Sequence, residues 1–397
     1  MTLLEALAWL LALPPAVLLL WFTFEVLAGL RPPASLQKPA GQPPRTAVLI
    51  PAHNEEGGIA ETLTRLGTAP WLHTLVVADN CTDQTAALAR QAGAEVIERQ
   101  DPALRGKGFA LAYGRDHLAG KPANERPAAV VVLDADCSTD QASVALLAQE
   151  ALLHEEPVQA RNLLTTAGSA PPLTQISNFA MLVKNLVRAR GLQRIGGGIP
   201  LFGTGMAFPW PIFSEAELAT DHLVEDMQLA LQFARQGIRV KLVEQASVLS
   251  AAAPEAAAKT QRSRWERGFL GTARRQALPM LVSGIVDVSR HRFALGMHLM
   301  VPPLALLLLV SGMSLATVAA LSVITGSWTP PLVLLLALLC AQSAVALAWH
   351  KEGRQTLSAT AALKAPLYIL WKVPLYLGLL RKSEPGWTRT RRVGERD

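Results

Sequence analysis

The sequence predicts an α/β domain with a mainly parallel sheet, flanked by apolar helices towards both ends of the chain. Three observations favour this fold. Short β-branched strands alternate with helical patterns in the middle of the chain, acids and amides follow the strands, and the longest apolar stretches lie near the ends. Strands separated by helices pair in parallel through right-handed crossovers. Because ligands bind beyond the carboxyl ends of such strands, we expect site residues directly after them.

The apolar content sets the chain apart from an ordinary soluble domain. Half of its 397 residues are hydrophobic, and the excess lies at the two ends. The stretch from Thr2 to Leu30 is long enough to cross a bilayer. No basic segment precedes it, and it is longer than the core of a signal peptide, so we expect an uncleaved transmembrane anchor over residues 1–30.

Apolar stretches near the C-terminus predict further membrane contact. Residues 293–325 and 331–349 are nearly free of charge and are joined by a short loop, which predicts two transmembrane helices over 293–350. Residues 357–380 carry two lysines and two prolines. A lysine is costly at the membrane centre, so we expect an interfacial or re-entrant helix and then a basic cytosolic tail, together over 351–397.

The basic residues gather at the edges of the apolar stretches, and the formal net charge is +6. This distribution favours contact with membrane lipids over binding to nucleic acid. By the positive-inside rule it also places the middle of the chain in the cytoplasm, and we expect an integral protein of a bacterial inner membrane. The three cysteines show no paired framework, which is typical of reduced thiols. The oligomeric state is left open.

The middle of the chain predicts one domain. Residues 31–44, rich in Pro and Gln, predict a linker, and residues 45–258 after it predict a single α/β domain. Strands are predicted at 46–50, 75–79, 94–97, 130–133 and 157–160. Helices are predicted at 109–118, 141–154, 175–190 and 227–236.

The strand at 130–133 is followed by two carboxylates, Asp134 and Asp136. Two acids one residue apart repel each other unless a cation lies near them, and their hard oxygen ligands suit Mg²⁺ or Mn²⁺. Since proteins commonly hold a diphosphate through a divalent ion, the pattern predicts a metal–diphosphate site. A polar turn is the alternative, because Asp is common in turns.

Glycines interrupt the pattern of strands and helices at 196–198 and again at Gly203 and Gly205. Glycine lets a ligand approach the backbone closely, so we expect Gly203, Thr204 and Gly205 to contact a ligand. A structural hinge is the alternative for the triple glycine.

Five short motifs resemble the membrane-embedded branch of glycosyltransferase family 2, which includes cellulose, chitin and hyaluronan synthases and ceramide glucosyltransferases. The matching segments are Ile50 to Glu56, Asp79, Asp134 to Asp136, Val224 to Asp226 and Gln261 to Trp265. Each motif is weak alone, but their order next to membrane spans makes the resemblance specific. It implies a catalytic domain with the GT-A fold, a Rossmann-like arrangement. The family's Thr-Glu-Asp motif has Val224 as its first residue here, which leaves both acids in place.

The resemblance implies a role for each motif. It implies donor contacts from Pro51, His53, Asn54, Glu55, Asp79, Asp134, Gln261, Arg264 and Trp265. It implies metal binding by Asp136 together with Asp134, and general-base action by Asp226. Acceptor contacts are expected from Gly203, Thr204, Gly205, Glu225 and Trp265.

Three residues have simpler alternatives. Lys107 can add positive charge near the donor, or it can be a solvated helix cap. Asp226 can act as a base or can cap the helix that follows it. Trp265 can stack on a sugar ring or anchor the chain at the membrane interface. Basic and apolar residues alternate over 259–292, which predicts an amphipathic segment on the bilayer surface.

Together these features predict a glycosyltransferase that requires Mg²⁺ or Mn²⁺, and the resemblance implies that it inverts the configuration of the sugar. It would move a sugar from a nucleotide sugar, expected to be a UDP-sugar, to a lipid-linked or saccharide acceptor in exopolysaccharide or cell-envelope glycan synthesis. The small membrane part favours addition of one or a few sugars, with a compact processive polysaccharide synthase as the alternative. A sugar-phosphate nucleotidyltransferase and a non-catalytic scaffold are alternatives of other classes. The nucleotidyltransferase predicts a glycine-rich loop where the chain has Asn54 and Glu55.

Overall fold

The computed structural model describes residues 2–32, 41–165, 170–220, 222, 224–251 and 255–380. These residues form two compact units. The helical unit takes its described residues from 2–32, 170–197 and 269–380, and the sheet unit takes its own from 41–165, 198–251 and 255–268, apart from 221 and 223. Most of the predicted linker (33–40) and the predicted basic tail after Leu380 lie outside the described residues. The predicted domain boundaries stay predictions.

Eight strands form one sheet in the order β3-β2-β1-β4-β7-β6-β8-β5. The strands are β1 (Thr46–Ala52), β2 (Leu72–Asp79), β3 (Glu95–Arg99), β4 (Ala129–Val132), β5 (Cys137–Ser138), β6 (Val158–Thr165), β7 (Met206–Pro209) and β8 (Lys241–Ala251). Four of the seven pairings are parallel, so the predicted mainly parallel sheet is confirmed.

The helices are α1 (Leu3–Gly29), α2 (Ile59–Leu66), α3 (Thr85–Gln91), α4 (Lys107–Ala119), α5 (Gln141–His154), α6 (Pro172–Leu182), α7 (Ala189–Gly196), α8 (Trp210–Ser214), α9 (Glu225–Arg235), α10 (Glu255–Val286), α11 (Arg290–Met300), α12 (Leu304–Thr325), α13 (Thr329–Ala348), α14 (Ala359–Ala362) and α15 (Ala365–Leu380). Two π-helical segments, Val183–Arg188 and Trp349–Gly353, continue α6 and α13.

Parallel pairing brings the site-bearing strand ends to one edge of the sheet. β1 lies between β2 and β4 and runs parallel to both. Its first five residues are fully buried, as expected of a strand covered on both faces. α4 packs closely on β1 and β2 at Gly114, where an added Cβ would lie 3.0 Å from Val77 Cγ2. The loops after β1, β2 and β4 therefore lie side by side.

The antiparallel part of the sheet was not predicted. β7 runs antiparallel to both β4 and β6, and β5 runs antiparallel to β8. β7 has only four residues and directly follows the glycine segment, which hides its strand character. β8 carries polar residues at Glu244 and Gln245 that break the apolar pattern. β6 runs to Thr165, five residues beyond the predicted strand end at 160.

Among the described residues, three helices are long and apolar enough to cross a membrane: α1, α12, and α13 with its π-helical extension. The predicted span 293–325 is wrong in its first part, because α11 ends at Met300 and α12 begins at Leu304. Pro302 and Pro303 cause this break, since proline lacks a backbone N–H and disfavours helix in the residue before it. α15 has 16 residues and is not among the three, and its interfacial or re-entrant placement stays a prediction.

The helical unit contains a buried charged network. Glu25 of α1 is fully buried and accepts hydrogen bonds from Arg188 Nε at 2.7 Å and from Trp21 Nε1 at 2.9 Å. Nδ1 of His298 lies 2.8 Å from the same carboxylate. A charge buried at this depth is costly unless it is paired and hydrogen-bonded, as this one is.

The segment 170–197 belongs to the helical unit, although the sequence predicts one domain over 45–258. Two glycines allow its close packing on α1. A Cβ at Gly191 would overlap the carbonyl oxygen of Glu25, and a Cβ at Gly29 would overlap that of Val187. Small residues at such positions let helix backbones approach closely.

Candidate active site

A cavity lies at the carboxyl edge of β1, β2 and β4. Its lining residues are Pro51, Ala52, His53, Glu55, Asp79, Asn80, Arg105, Gly106, Lys107, Ala110 and Asp134. Six of the ten predicted donor-binding residues are among them. The sequence reasoning missed Asn80, which directly follows Asp79, and Arg105, which lies two residues before Lys107.

Asp79 is held in a fixed position at the end of β2. Its Oδ1 accepts hydrogen bonds from Arg99 Nη1 at 2.7 Å and from Asn80 Nδ2 at 2.9 Å. Its backbone oxygen accepts a hydrogen bond from His53 Nδ1 at 2.7 Å. Arg99 ends β3 on the same edge of the sheet, and that position is the signal that could have revealed it. Charge-assisted bonds of this kind are short and strong, so they hold the Asp79 carboxylate in one orientation, and its contact with a donor stays a prediction.

Asn54 joins two of the loops at this edge. Its backbone has a positive φ of 54°. Its side chain accepts a hydrogen bond from Thr82 N at 2.8 Å and donates one to Thr82 Oγ1 at 3.2 Å. Asn54 therefore ties the loop after β1 to the loop after β2, and its direct contact with a donor stays a prediction.

Lys107, the first residue of α4, lies within a cluster of acids. Its Nζ is 2.5 Å from Asp134 Oδ1 and 3.9 Å from Glu225 Oε1, and it donates to the backbone oxygen of Gly203 at 2.6 Å. The side chain is 21% exposed. Burial opposes its charge, but Asp134, Glu225 and Asp226 outweigh that effect and raise the pKa of Lys107 above its usual value. Lys107 is therefore not a solvated helix cap, the alternative that the sequence left open.

Glu225 and Asp226 open α9 and face the same cluster. Asp226 Oδ1 accepts a hydrogen bond from Met227 N at 2.7 Å, so this carboxylate does contact its own helix start. Burial raises the pKa of Glu225 to about 7, with Lys107 opposing the shift and Asp226 adding to it. A carboxyl group whose pKa is raised by burial and by a neighbouring acid is typical of sites that move protons.

Gly203 lies between the carboxylate of Asp226 and the ammonium of Lys107. Its φ is +84°, and an added Cβ would be 3.3 Å from Asp226 Oδ2 and 3.7 Å from Lys107 Nζ. Glycine is needed for this backbone conformation and keeps the space between the two charged groups clear. Asp134, Glu225, Asp226 and Lys107 therefore converge on one point of the backbone.

Thr204 and Gly205 form hydrogen bonds to the backbone next to the site. Thr204 is buried, and its Oγ1 accepts a hydrogen bond from Asp134 N at 3.0 Å. Gly205 donates to Val132 O at 2.9 Å and has a φ of +68°. A Cβ there would lie 2.9 Å from that of Ala160. Both residues fix the backbone that carries Asp134, and their contact with an acceptor stays a prediction.

The carboxylates of Asp134 and Asp136 fit a hard divalent cation. Together with the thiol of Cys137, their ligand atoms lie within 4.8 Å of one another. Burial, with the two neighbouring acids, raises the pKa of the Cys137 thiol well above its usual value. A protonated thiol is a poor ligand, which leaves two carboxylates as donors, a set that suits Mg²⁺ or Mn²⁺.

Gln261, Arg264 and Trp265 lie on α10 at spacings of three and four residues, which places them on one face of the helix. All three are half-buried. Within the described part of the chain they do not belong to the cavity lining. Their donor and acceptor contacts stay predictions.

The chain matches two models of known protein families. A model described as glycosyl transferase family group 2 matches residues 129–349, more than half of the chain. A second model, described as glycosyl transferase family 2, matches residues 47–161. The chain belongs to glycosyl transferase family 2. The predicted family is thus confirmed, and membership favours sugar transfer over the nucleotidyltransferase alternative.

One individual relative of this family 2 glycosyltransferase is similar to it over part of its length. The low-salt glycan biosynthesis hexosyltransferase Agl6 of Haloferax volcanii is 28% identical over 193 residues. That match covers 44% of each protein, so the chain spans less than half the length of this relative.

One of two similar solved structures, a mannosyltransferase, shows the fold. The mannosyltransferase PcManGT from Pyrobaculum calidifontis, in complex with GDP-Man and Mn²⁺, is 18% identical with a TM-score of 0.53, and the match covers 94% of this chain and 100% of that one. Glucosyl-3-phosphoglycerate synthase from Mycobacterium tuberculosis is 19% identical with a TM-score of 0.40, over 58% of this chain and 85% of that one. The predicted GT-A fold, with apolar helices towards both ends, is confirmed for this family 2 glycosyltransferase.

Proposed function

We propose that the chain is an inverting enzyme that transfers a sugar from a nucleoside diphosphate sugar to an acceptor hydroxyl, with the help of a divalent cation. One observation carries this proposal: Lys107, Asp134 and the adjacent pair Glu225 and Asp226 come from three separate segments and converge beside Gly203. Family membership supports the same reaction class.

The donor occupies the cavity at the carboxyl edge of the sheet. The fixed carboxylate of Asp79 accepts a hydrogen bond from an N–H group of the base, which uracil and guanine both present. A UDP-sugar stays the predicted donor, and a GDP-sugar satisfies the same contact. Asp136 and Asp134 would hold Mg²⁺ or Mn²⁺. The bound ion would supply Lewis-acid chemistry, neutralising charge on the departing diphosphate. The GDP-Man and Mn²⁺ in the mannosyltransferase structure agree with this arrangement.

Asp226 removes the proton of the acceptor hydroxyl. The hydroxyl oxygen forms a bond to the anomeric carbon as the bond from that carbon to the diphosphate oxygen breaks, and the proton goes to Asp226 Oδ2. Attack opposite the leaving group inverts the configuration of the sugar. General-base action of this kind contributes about 10²–10⁴-fold to the rate. The adjacent Glu225 contacts the acceptor from the same side.

The acceptor is lipid-linked or a saccharide at the cytoplasmic face of a membrane, in exopolysaccharide or cell-envelope glycan synthesis. Three helices in the described part of the chain are long and apolar enough to span a bilayer, and they support a membrane location. Three such spans among the described residues provide little wall for a polymer channel, which supports transfer of one or a few sugars. A compact processive synthase remains the alternative.

The test is a screen of UDP- and GDP-sugars with the full chain in lipid nanodiscs. Release of nucleoside diphosphate is measured with Mn²⁺, with Mg²⁺ and with EDTA. We expect turnover with one donor class, loss of turnover in EDTA and in Asp136→Ala, and retention in Glu217→Gln, whose side chain is exposed and lies outside the cavity. Metal-independent turnover, or full activity of Asp136→Ala, contradicts the proposal.

Sizing of the labelled product separates single addition from processive synthesis. One discrete product supports addition of one or a few sugars. A ladder or a polymer supports the compact synthase instead.

A further inference from the structure

A positive charge already lies at the first carboxylate of the proposed metal site. Lys107 Nζ is 2.5 Å from Asp134 Oδ1, while Asp136 lies within 4.8 Å of Asp134 by their ligand oxygens. An ammonium and a divalent cation thus compete for the same carboxylate. Like charges at such distances repel strongly in a partly buried site.

The fold holds this lysine in place. Lys107 is the first residue of α4 and lies between two glycines. A Cβ at Gly108 would overlap the backbone oxygen of Leu218 and would lie 2.8 Å from that of Thr220, so the start of α4 is packed against this segment. The Lys107 ammonium also donates to the backbone oxygen of Gly203 at 2.6 Å. Lys107 therefore connects Asp134, in the loop after β4, to Gly203.

We propose that Lys107 is a positioning residue that acts as a built-in counter-cation, keeping the affinity for the metal low until the diphosphate of the donor arrives. This inference rests on the proposed function. The diphosphate offers the ammonium a new partner and adds negative charge, so Asp134 is released to the metal. Metal and nucleotide then bind with positive coupling, each raising the affinity for the other by the same factor.

The test is a titration of the full chain with Mn²⁺, in which free Mn²⁺ is measured by electron paramagnetic resonance. Without nucleotide, Lys107→Met is expected to bind Mn²⁺ on the order of tenfold more tightly than the wild type, because one repelling charge is gone. Lys107→Arg, which keeps the charge, is expected to stay close to the wild type. Lys241→Met is the matched control, since Lys241 is paired with Glu156 at 3.0 Å and lies outside the cavity.

A second arm measures coupling. Saturating UDP or GDP is expected to tighten Mn²⁺ binding severalfold in the wild type and much less in Lys107→Met. Asp136→Ala is expected to lose Mn²⁺ binding, which shows that this site is the one titrated. Thermal denaturation of each variant checks that it is folded, and Lys107→Gln replaces Lys107→Met if the latter is not.

The outcomes separate this inference from the proposed function. If Lys107→Met and Lys107→Gln bind Mn²⁺ no more tightly than the wild type, the counter-cation role is overturned while the glycosyltransferase proposal stands. If the wild type binds no Mn²⁺ even with UDP or GDP, both fail.

Discussion

Oε1 of Glu225 lies 3.9 Å from Nζ of Lys107. The two side chains come from the first turns of α9 and α4, and only 18% of the Glu225 side chain is exposed. Even with the ammonium this close, burial raises the pKa of Glu225 to about 7. The site therefore favours the protonated form of this carboxyl group more than water does.

Glu225 gives the fold a stability that depends on pH. Its pKa is about 7 when folded and 4.5 ordinarily, so the folded state binds more protons between these values. Stability then falls as pH rises from 4.5 to 7 and is constant above that range with respect to this group. In EDTA, Glu225→Gln is expected to remove this slope and to be relatively more stable than the wild type at pH 8 than at pH 5. Parallel melting curves of the two proteins across this range would contradict the assignment.

Glu95 makes the stability of the fold depend on pH with the opposite sign. It accepts hydrogen bonds from Lys121 at 2.7 Å and from His73 at 2.6 Å, and it also contacts His117. These partners outweigh burial and lower the pKa of Glu95 to about 2. The stabilisation is present above pH 4.5 and is lost as pH falls towards 2. Because the side chain is 35% exposed, we expect Glu95→Gln to cost only about 1 kcal/mol at pH 7.

Chemical denaturation at several pH values measures this effect. The control is Glu98→Gln, which breaks a half-exposed surface pair with Arg90 and is expected to change little. Equal stability of Glu95→Gln and the wild type at pH 7 would show that the cluster contributes nothing.

Gly108 is expected to tolerate no side chain. A Cβ there meets the backbone oxygens of Leu218 and Thr220, so Gly108→Ala must shift the start of α4 and with it Lys107. We expect a loss of about 1–3 kcal/mol in stability and a larger loss of activity. The matched control is Gly57→Ala, because Gly57 is exposed and has no atom within 4 Å of an added Cβ. Equal effects of the two substitutions would remove the role given to this contact.

Substitutions of the buried pair Glu25 and Arg188 test how this pair affects the stability of the helical unit. Arg188→Met leaves a fully buried carboxylate without its strongest partner and is expected to cost about 3–5 kcal/mol. The double variant Glu25→Leu with Arg188→Met is expected to recover much of that loss, since both charges of the pair are removed together. Thermal denaturation in detergent measures both, with exposed Arg274→Met as the control. A double variant less stable than Arg188→Met would argue against a charge-pair origin.

The parallel half of the fold could be predicted because its strands carry their own signal. β1 and β4 are short, apolar and buried on both faces, so periodicity alone locates them and places Asp134 and Asp136 at the correct edge. β7 gives no such signal, since it has four residues after a glycine segment and depends on β4 and β6 for its hydrogen bonds.

The role of Lys107 could not be decided from sequence. Its partner Asp134 is 27 residues away and Gly203 is 96 residues away, so a solvated cap and a paired lysine share one local pattern. The pairing of Asp79 with Arg99 also needs β2 and β3 to lie side by side, and the position of Arg99 at the end of β3 was the one local signal for it.

Asp226→Asn tests the central claim most directly. Transfer of labelled sugar and binding of UDP or GDP with Mn²⁺ are measured on the same preparation, beside Glu217→Gln as the control. If Asp226 is the base, turnover falls by about 10²–10⁴-fold while nucleotide affinity stays within about threefold of the wild type. Undiminished turnover in Asp226→Asn would contradict the account.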